Sequence, residues 1–444
     1  MRAPTLVCIG GGPKALAVAV KARVLADLGL PAPEVIIVER EAVGANWTAA
    51  GGWTDGMHRL GTSPEKDLGF PYRSADFRGF NRYIDHAMLR YSWGSYLVAA
   101  GSFGEWVDRG RPPPRHRDWA RYLQWAATQA EARVVTAQVR TASVSTDRWT
   151  IELDSADGSD GGTGGWPQAD TLTADALMVT GPGAPVSEWE TLDTNVVGPA
   201  TFWRQVANRS LPAVDRAAVI GGGETAGAIL HEMCRHEATS ISVIAPRASL
   251  FTRGEGYFEN SVFTDSVRWE TLSLAQRREV IKRADRGVFS ARVMDELRLD
   301  TRIVHVEGRV SGVETVNDQI ALGIETASGH LSQWYDYVID ARGSWKLWML
   351  QLFDGSALDR LELAIGGAAT TERVQMSIER SLSVGGMTPA LYLPGLADLR
   401  QGPGFPNLSC LGLLSDRICA SLGAVDPSPA TINRHMNLEQ LSDH

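Results

Sequence analysis

The stretch Thr5-Leu-Val-Cys-Ile9-Gly10-Gly11-Gly12-Pro13-Lys14-Ala15-Leu16, followed by an alanine- and valine-rich run to Gly29 and then Glu34-Val-Ile-Ile-Val-Glu39, decides the fold. Thr5 to Ile9 is an unbroken apolar run too short for a helix and closed by glycines, which predicts a buried strand. Pro13 suits the first position of a helix, and Gly29 stops that helix after Leu28. Glu34 to Glu39 is a second short apolar strand, so the unit reads βαβ. Its turn fits G-x-G-x-x-A: Gly10 turns the chain, Gly12 lets a pyrophosphate approach the backbone, and Ala15 lets the helix lie close on the sheet. Glu39, at the end of the second strand, stands where a ribose hydroxyl is bound.

A glycine turn alone is weak evidence, but the chain carries a second. Arg216 to Ile220 is another apolar strand, followed by Gly221-Gly222-Gly223-Glu224-Thr225-Ala226, a helix to about His236 and a strand Ser240 to Ile244. Two such units predict two dinucleotide sites on one chain. The second lacks the acid that holds a free ribose; Ile244 runs into Ala245-Pro246-Arg247. That favours the 2′-phosphate of NADP, with Arg247 and Arg253 as its candidate contacts. The alternative is that either is a solvated surface arginine.

The chain has 444 residues, long enough for two or three domains, with 44% apolar and 21% charged residues, the balance of a globular protein. The formal net charge of −9 supplies no broad basic field for nucleic acid or an anionic membrane. Cys8, Cys234, Cys410 and Cys419 show no CxxC or metal-ligand spacing, which suggests free thiols in a reducing compartment, the cytoplasm. No run of apolar residues is long enough to span a bilayer, and the charged N-terminal segment is no signal peptide.

Leu172 to Thr180 and Tyr335 to Ala341 each read as an apolar strand leading into glycine at a domain crossing. Asp154 to Asp170 is rich in Gly, Ser and Asp and reads as a mobile loop. Ser249 to Leu299 interrupts the second βαβ unit, with a helix from Ser273 to Leu297, and is placed to cover the gap between two nucleotide sites; a structural lid is the other reading. The organisation expected is therefore α/β, with two Rossmann-like dinucleotide-binding domains and a small, partly helical insertion. A discontinuous first domain takes residues 1–195 and 345–430, a second takes 196–248 and 300–344, the insertion takes 249–299, and 431–444 is a flexible tail.

With these units in hand, the chain resembles the flavin-dependent N-hydroxylating monooxygenases, the ornithine and lysine N-hydroxylases of siderophore-type biosynthesis. Gly10 to Leu16 resembles that family's FAD turn, G-x-G-P-x-x-L, and Gly221 to Ala226 its NADPH turn. Ser63-Pro64-Glu65-Lys66-Asp67-Leu68 matches S-x-x-K-D-L without a gap. Phe258 to Phe263 looks like the substrate motif F-x-N-x-x-F, and Leu414-Ser415-Asp416 like a Leu-Ser-Asp near the C-terminus. The resemblance implies cofactor contacts from Gly10, Gly12, Pro13, Lys14, Ala15, Glu39 and Ser63 for FAD. For NADPH it implies Gly221, Gly223, Glu224 and Thr225 beside the two arginines. It gives Lys66 the substrate carboxylate and Asn260 a share in holding the substrate, with Ser415 nearby. The other readings are a surface lysine paired to Asp67 or Glu65, and an Asn that makes a turn. Where the family has Met-Gln-Ile this chain has Leu60-Gly61-Thr62, so a Gln near the flavin is replaced by Gly61. A second substrate Asn aligns with Asp285, which gives the pocket an extra carboxylate unless Asp285 only pairs with Arg283 or Arg286.

The implied activity is an FAD-, NADPH- and O2-dependent N-hydroxylation of the side-chain amine of a basic amino acid through a C4a-hydroperoxyflavin, with no metal and no catalytic side chain beyond the flavin. Alternatives are a diamine as substrate, S-oxygenation or Baeyer-Villiger chemistry, and a non-enzymatic flavoprotein. A disulfide reductase is rejected because Cys8 stands alone in its strand. No HExxH is present, and His58 reads as structural. A homo-oligomer, dimer or tetramer, is expected.

Overall fold

The computed structural model describes residues 2–155, 170–183, 189, 195–317 and 319–423. The Gly-, Ser- and Asp-rich loop between Asp154 and Asp170 and the C-terminal tail therefore fall largely or wholly outside the described residues.

Thr5–Ile9, Pro13–Asp27 and Glu34–Glu39 form the first strand, helix and strand as read. The two strands pair in parallel, Val7 opposite Ile36, within a seven-stranded sheet. Its order is Ala390–Tyr392, Ala176–Val179, Thr5–Ile9, Glu34–Glu39, Arg133–Ser145, Arg148–Ser155 and Thr171–Ala174, with the last two joined antiparallel. A strand from residues 390–392 at one edge shows why the apolar run after residue 345 exists: the sheet is completed by chain that returns from the far side of the second nucleotide unit. Helix Pro13–Asp27 is buried along most of its length, which explains its almost uninterrupted Ala, Val and Leu content. It packs on helix Leu411–Leu422, and the fully buried Lys21 meets Asp416 there at 2.5 Å, with Ser74 bonding both partners.

A five-stranded parallel sheet carries the second unit, in the order Ile303–Glu307, Ser240–Ala245, Arg216–Ile220, Tyr337–Asp340, Val196–Val197. Helix Glu224–Met233 follows its glycine turn. Beside it lies an antiparallel meander, Arg309–Val316, Gln319–Thr326 and Gly329–Tyr335, which the sequence reading did not identify. Ile320, Leu322 and Ile324 are fully buried at every second position of its central strand. That period of two was the available signal.

Three expectations need correcting. Tyr335 to Ala341 is not one strand: Tyr335 closes the meander, Tyr337–Asp340 lies in the parallel sheet, and Asp336 between them accepts from the Asp215 and Arg216 amides. Leu172 to Thr180 is two strands: Asp175 interrupts it, its amide donating to the Thr5 carbonyl and its carboxylate accepting from the Thr5 amide at 2.8 Å. The single helix from Ser273 to Leu297 is also two, Leu274–Ala284 and Ala291–Leu297. Gly287 adopts a left-handed φ of +66° between them, and Arg286 is drawn out to the buried Asp398. Two short helices, Tyr257–Val262 and Ser266–Thr271, precede this pair.

Candidate active site

A cleft of about 1020 Å³ opens along the carboxyl ends of the first sheet's strands and runs under the insertion. Its first end is the Gly10–Gly12 turn. A Cβ at Gly10 would stand 2.7 Å from the Thr180 hydroxyl, on backbone at φ +97°, so only glycine fits the turn. At Gly12, by contrast, a Cβ would meet nothing within 4 Å, because that face opens on the cleft. The helix starting at Pro13 has no side-chain cap and no acid in its first turn, so its leading N–H groups suit a diphosphate. Glu39 lines the same end and accepts from the Gly11 amide at 2.6 Å. These residues fit the diphosphate and adenosine of FAD.

The opposite end is built from three separate segments. In Ser63-Pro64-Glu65-Lys66-Asp67-Leu68, Asp67 is a buried anchor: it accepts from the Trp93 amide at 2.8 Å, the Gly69 amide at 3.2 Å and the Tyr72 hydroxyl at 2.6 Å. Burial nonetheless pushes its carboxyl up to about 6. Glu65 is taken by the Ser63 hydroxyl. Lys66 thus pairs with neither acid and turns into the cleft, where it donates to Asn260 Oδ1 at 2.9 Å and Ser409 Oγ at 3.4 Å and lies 5.8 Å over the Phe263 ring. Asn260 Nδ2 donates to the Glu255 carbonyl at 2.6 Å, which fixes which face of its amide meets Lys66. Burial and the Arg253 charge lower the Lys66 pKa.

Asp285 also lines the cleft. It accepts from Asn407 Nδ2 at 3.3 Å and sits 3.7 Å from the Arg286 guanidinium, whose closer partner is Asp398. Burial raises its pKa against the opposing pull of Arg286 and Asn407. The Asn407 Oδ1 accepts from the Ser409 amide at 2.8 Å, so one polar floor runs from Asn260 through Lys66, Ser409 and Asn407 to Asp285.

Of the residues singled out in the sequence, Gly10, Gly12, Pro13, Lys14, Glu39, Ser63, Lys66, Glu224, Thr225, Arg253, Asn260 and Asp285 line the cleft. Ala15 lies behind the turn, fully buried against the sheet. Ser415 does not reach the cleft: it is fully buried and its hydroxyl donates to the Gly412 carbonyl at 3.0 Å, while neighbouring Asp416 holds Lys21. The Leu-Ser pair that does reach it is Leu408-Ser409, the same dipeptide six residues upstream. Ser409 and Asn407 were missed because the loop Gly402 to Cys410 has neither helical nor strand periodicity.

Gly221 and Gly223 form the second turn beside the cleft without lining it. Gly221 has φ +141°, and a Cβ there would stand 2.6 Å from the Ala341 carbonyl. Gly223 caps the Glu224–Met233 helix without a side-chain bond, so this turn too leaves amides for a pyrophosphate. Arg247 does not line the cleft: its guanidinium donates to the Lys282 carbonyl at 2.7 Å and the Arg286 carbonyl at 3.3 Å, which ties the strand to the insertion. Arg253 is a strut across the seam, pairing with Glu224 at 3.4 Å and Glu255 at 2.7 Å and donating to the Gly61 carbonyl. A Cβ at Gly61 would lie 3.8 Å from that guanidinium, in ordinary van der Waals contact. His58 lies in the same seam, its Nε2 2.9 Å from Arg292 and its ring 5.3 and 5.2 Å from those of His116 and His231.

One dinucleotide turn lining the cleft, a second beside it, and a polar site with Lys66 and Asp285 opposite fit a two-dinucleotide flavoprotein of the NADPH-dependent monooxygenase class. Residues 86–307 match the L-lysine 6-monooxygenase/L-ornithine 5-monooxygenase family. The chain is 50% identical over 421 residues to the L-lysine N6-monooxygenase MbtG of Mycolicibacterium paratuberculosis, covering 94% of this chain and 95% of the relative. It is 47% identical to the protein of the same name from Mycobacterium tuberculosis, over 99% of both. The solved lysine monooxygenase NbtG of Nocardia farcinica is 48% identical, with a TM-score of 0.82 over 94% of this chain and 100% of that one. The chain belongs to the L-lysine 6-monooxygenase/L-ornithine 5-monooxygenase family. It is an FAD- and NADPH-dependent monooxygenase that N-hydroxylates the side-chain amine of a basic amino acid.

Proposed function

We propose that the substrate is free L-lysine and the product N6-hydroxylysine. The observation that carries this is the two-ended polar floor of the cleft, Lys66 with Asn260 and Ser409 at one end and Asp285 with Asn407 at the other. An amino acid with a cationic side chain matches both ends at once; a diamine leaves Lys66 facing a cation. The choice of lysine over ornithine is supported by the identity of 47–50% to L-lysine N6-monooxygenases over nearly the whole chain.

In this reading Lys66 binds the substrate carboxylate and Asn260 orients it, while the Asn260–Glu255 bond holds the amide face. Bound FAD, reduced by NADPH, supplies the oxygen atom from O2. Only a neutral amine is nucleophilic, and a lysine side chain has a pKa of about 10.4 in water. Burial under the insertion and apolar neighbours such as Phe263, Trp345 and Leu352 disfavours the charged form. Asp285 draws the ammonium in, and its raised pKa suits it to accept a proton. A catalogue of kcat/KM values tests the assignment. L-Lysine should exceed both L-ornithine and the corresponding diamine; an enzyme that prefers the diamine contradicts the carboxylate role of Lys66.

The same reading places the enzyme in the cytoplasm as a homo-oligomer. No helix among the described residues is long and apolar enough to cross a membrane. Tyr257 and Phe258, 79% and 76% exposed on the insertion, suit a protein contact, and light scattering of the purified protein measures the stoichiometry.

A further inference from the structure

Lys14 lines the cleft one residue into the helix of the FAD turn, half-buried, and makes no hydrogen bond or ion pair among the described residues. The buried cations elsewhere among the described residues are matched: Lys21 by Asp416 and Ser74, Arg277 by the Leu399 and Glu270 carbonyls, Arg417 by Gln401 and the Arg380 carbonyl. A partly buried ammonium left without a partner and facing a ligand cleft is a group waiting for an anion.

The position narrows the choice of anion. Burial lowers the Lys14 pKa, and Asp285, the carboxylate that lines the substrate end of the same cleft, pulls against it. Helix Leu411–Leu422 packs on helix Pro13–Asp27 through Lys21–Asp416 and Val18–Cys419. FAD bound with its diphosphate at the glycine turn and its adenosine toward Glu39 would have the part of the cleft that Lys14 and Asp285 line left for its ring. Hydride from NADPH adds two electrons and one proton to the neutral ring and leaves NADP+, so the ring gains one negative charge unless a second proton follows.

We propose that Lys14 is the cation that stabilises the negative charge of the reduced flavin ring, and so sets how readily NADPH reduces this enzyme. This rests on the reading of the cleft as the FAD site. Burial holds the Lys14 pKa down to about 8 while no anion faces it. Charge on the ring raises that pKa, so above pH 8 reduction draws an extra proton onto Lys14.

The test is a redox titration of the holoenzyme, without substrate, for wild type, Lys14→Met and Lys14→Arg. FAD content is measured first from absorbance and protein concentration. Lys14→Met should keep its FAD and become at least tenfold harder to reduce, a drop of about 30 mV in a two-electron midpoint potential. Lys14→Arg should stay near wild type at pH 7. Above pH 8 the wild-type potential should fall more steeply than that of either variant, by about 30 mV per pH unit, the signature of one extra proton per two electrons. A wild type that binds no FAD overturns the reading of the cleft. A Lys14→Met protein that loses FAD makes Lys14 a diphosphate ligand and overturns the proposal alone. Unchanged potentials and slopes in FAD-replete variants overturn it equally.

Discussion

Lys66 shows how one side chain acquires a function from its neighbours. Asp67 is consumed by two amides and Tyr72, Glu65 by Ser63, and the lysine between them is left to face the cleft. Lys66→Ala should therefore retain FAD while kcat/KM for lysine falls about ten- to a hundredfold, mostly through KM, as expected for loss of a charged hydrogen-bonding partner worth about 1.5–3 kcal/mol. Loss of flavin instead would make Lys66 structural. Asp285→Asn keeps the Asn407 contact but removes the charge; the ratio of kcat/KM for lysine against a neutral-side-chain amine should fall, and an unchanged ratio removes Asp285 from the site. Motif spacing made Lys66, Asn260 and Asp285 legible, because each sits in a short string whose geometry is local. It failed at Ser415, where a matching tripeptide belongs to a helix buried against Lys21. Ser409, which lines the cleft, lies in a loop whose shape is set by distant contacts, among them Gly404, where a Cβ would stand 2.3 Å from the Phe263 carbonyl.

At the level of elements, the two glycine turns carry different loads. Gly221 sits at φ +141° with the Ala341 carbonyl 2.6 Å from a virtual Cβ, so Gly221→Ala must distort this turn, the one proposed to receive NADPH. FAD should remain bound, while KM for NADPH rises at least tenfold; an unchanged KM would show that this turn does not carry the nicotinamide dinucleotide. Gly412 has a separate duty. Its Cβ would stand 2.2 Å from the Gly69 carbonyl where the Leu411 helix docks on the loop after Lys66, and Gly412→Ala should destabilise the fold by roughly 1–3 kcal/mol, read by denaturant unfolding. Both βαβ units were legible because strand, turn and helix are contiguous and each has its own periodicity. The helix break at Gly287 was not: Arg286 leaves the helix to reach Asp398, a partner more than a hundred residues downstream, which no local pattern reports.

For the molecule as a whole, the seam between the two nucleotide units is an array of neutral imidazoles and arginines. His58 faces His116, His231, Arg292 and Arg235; burial and these cations hold its pKa down to about 2 and that of His116, which also faces Arg292, to about 4. In the unfolded chain both protonate near 6.5, so their contribution is complete above that pH and drains away as the pH falls from 6.5 toward 4. Asp67, raised to about 6, acts in the opposite sense across part of that window, since it binds a proton in the fold before the unfolded chain does. The buried carboxyls of Asp285, Glu224 and Asp416, also raised by burial, act in the same sense as Asp67, so the imidazole contribution is read as a difference: between pH 7 and 5 the unfolding free energy of His116→Phe should fall by about 2 kcal/mol less than that of wild type. An equal slope in the variant would place the acid-labile group elsewhere. The seam itself could not be read from the chain, because it joins residues 58, 116, 231 and 292 from four segments; what the sequence offered was the recurrence of the βαβ unit, from which two sheets and a cleft between them follow.

The most direct test of lysine N-hydroxylation is the fate of oxygen and NADPH when L-lysine is supplied to the FAD-loaded enzyme under 18O2. One hydroxylamine should form from L-lysine per NADPH oxidised to NADP+, carrying one 18O atom on the side-chain nitrogen, located by mass spectrometry, with the second 18O atom leaving as water. NADPH consumption that yields only hydrogen peroxide, or label on the α-nitrogen, would contradict it, since Lys66 could not then be holding the carboxylate end of the substrate away from the flavin.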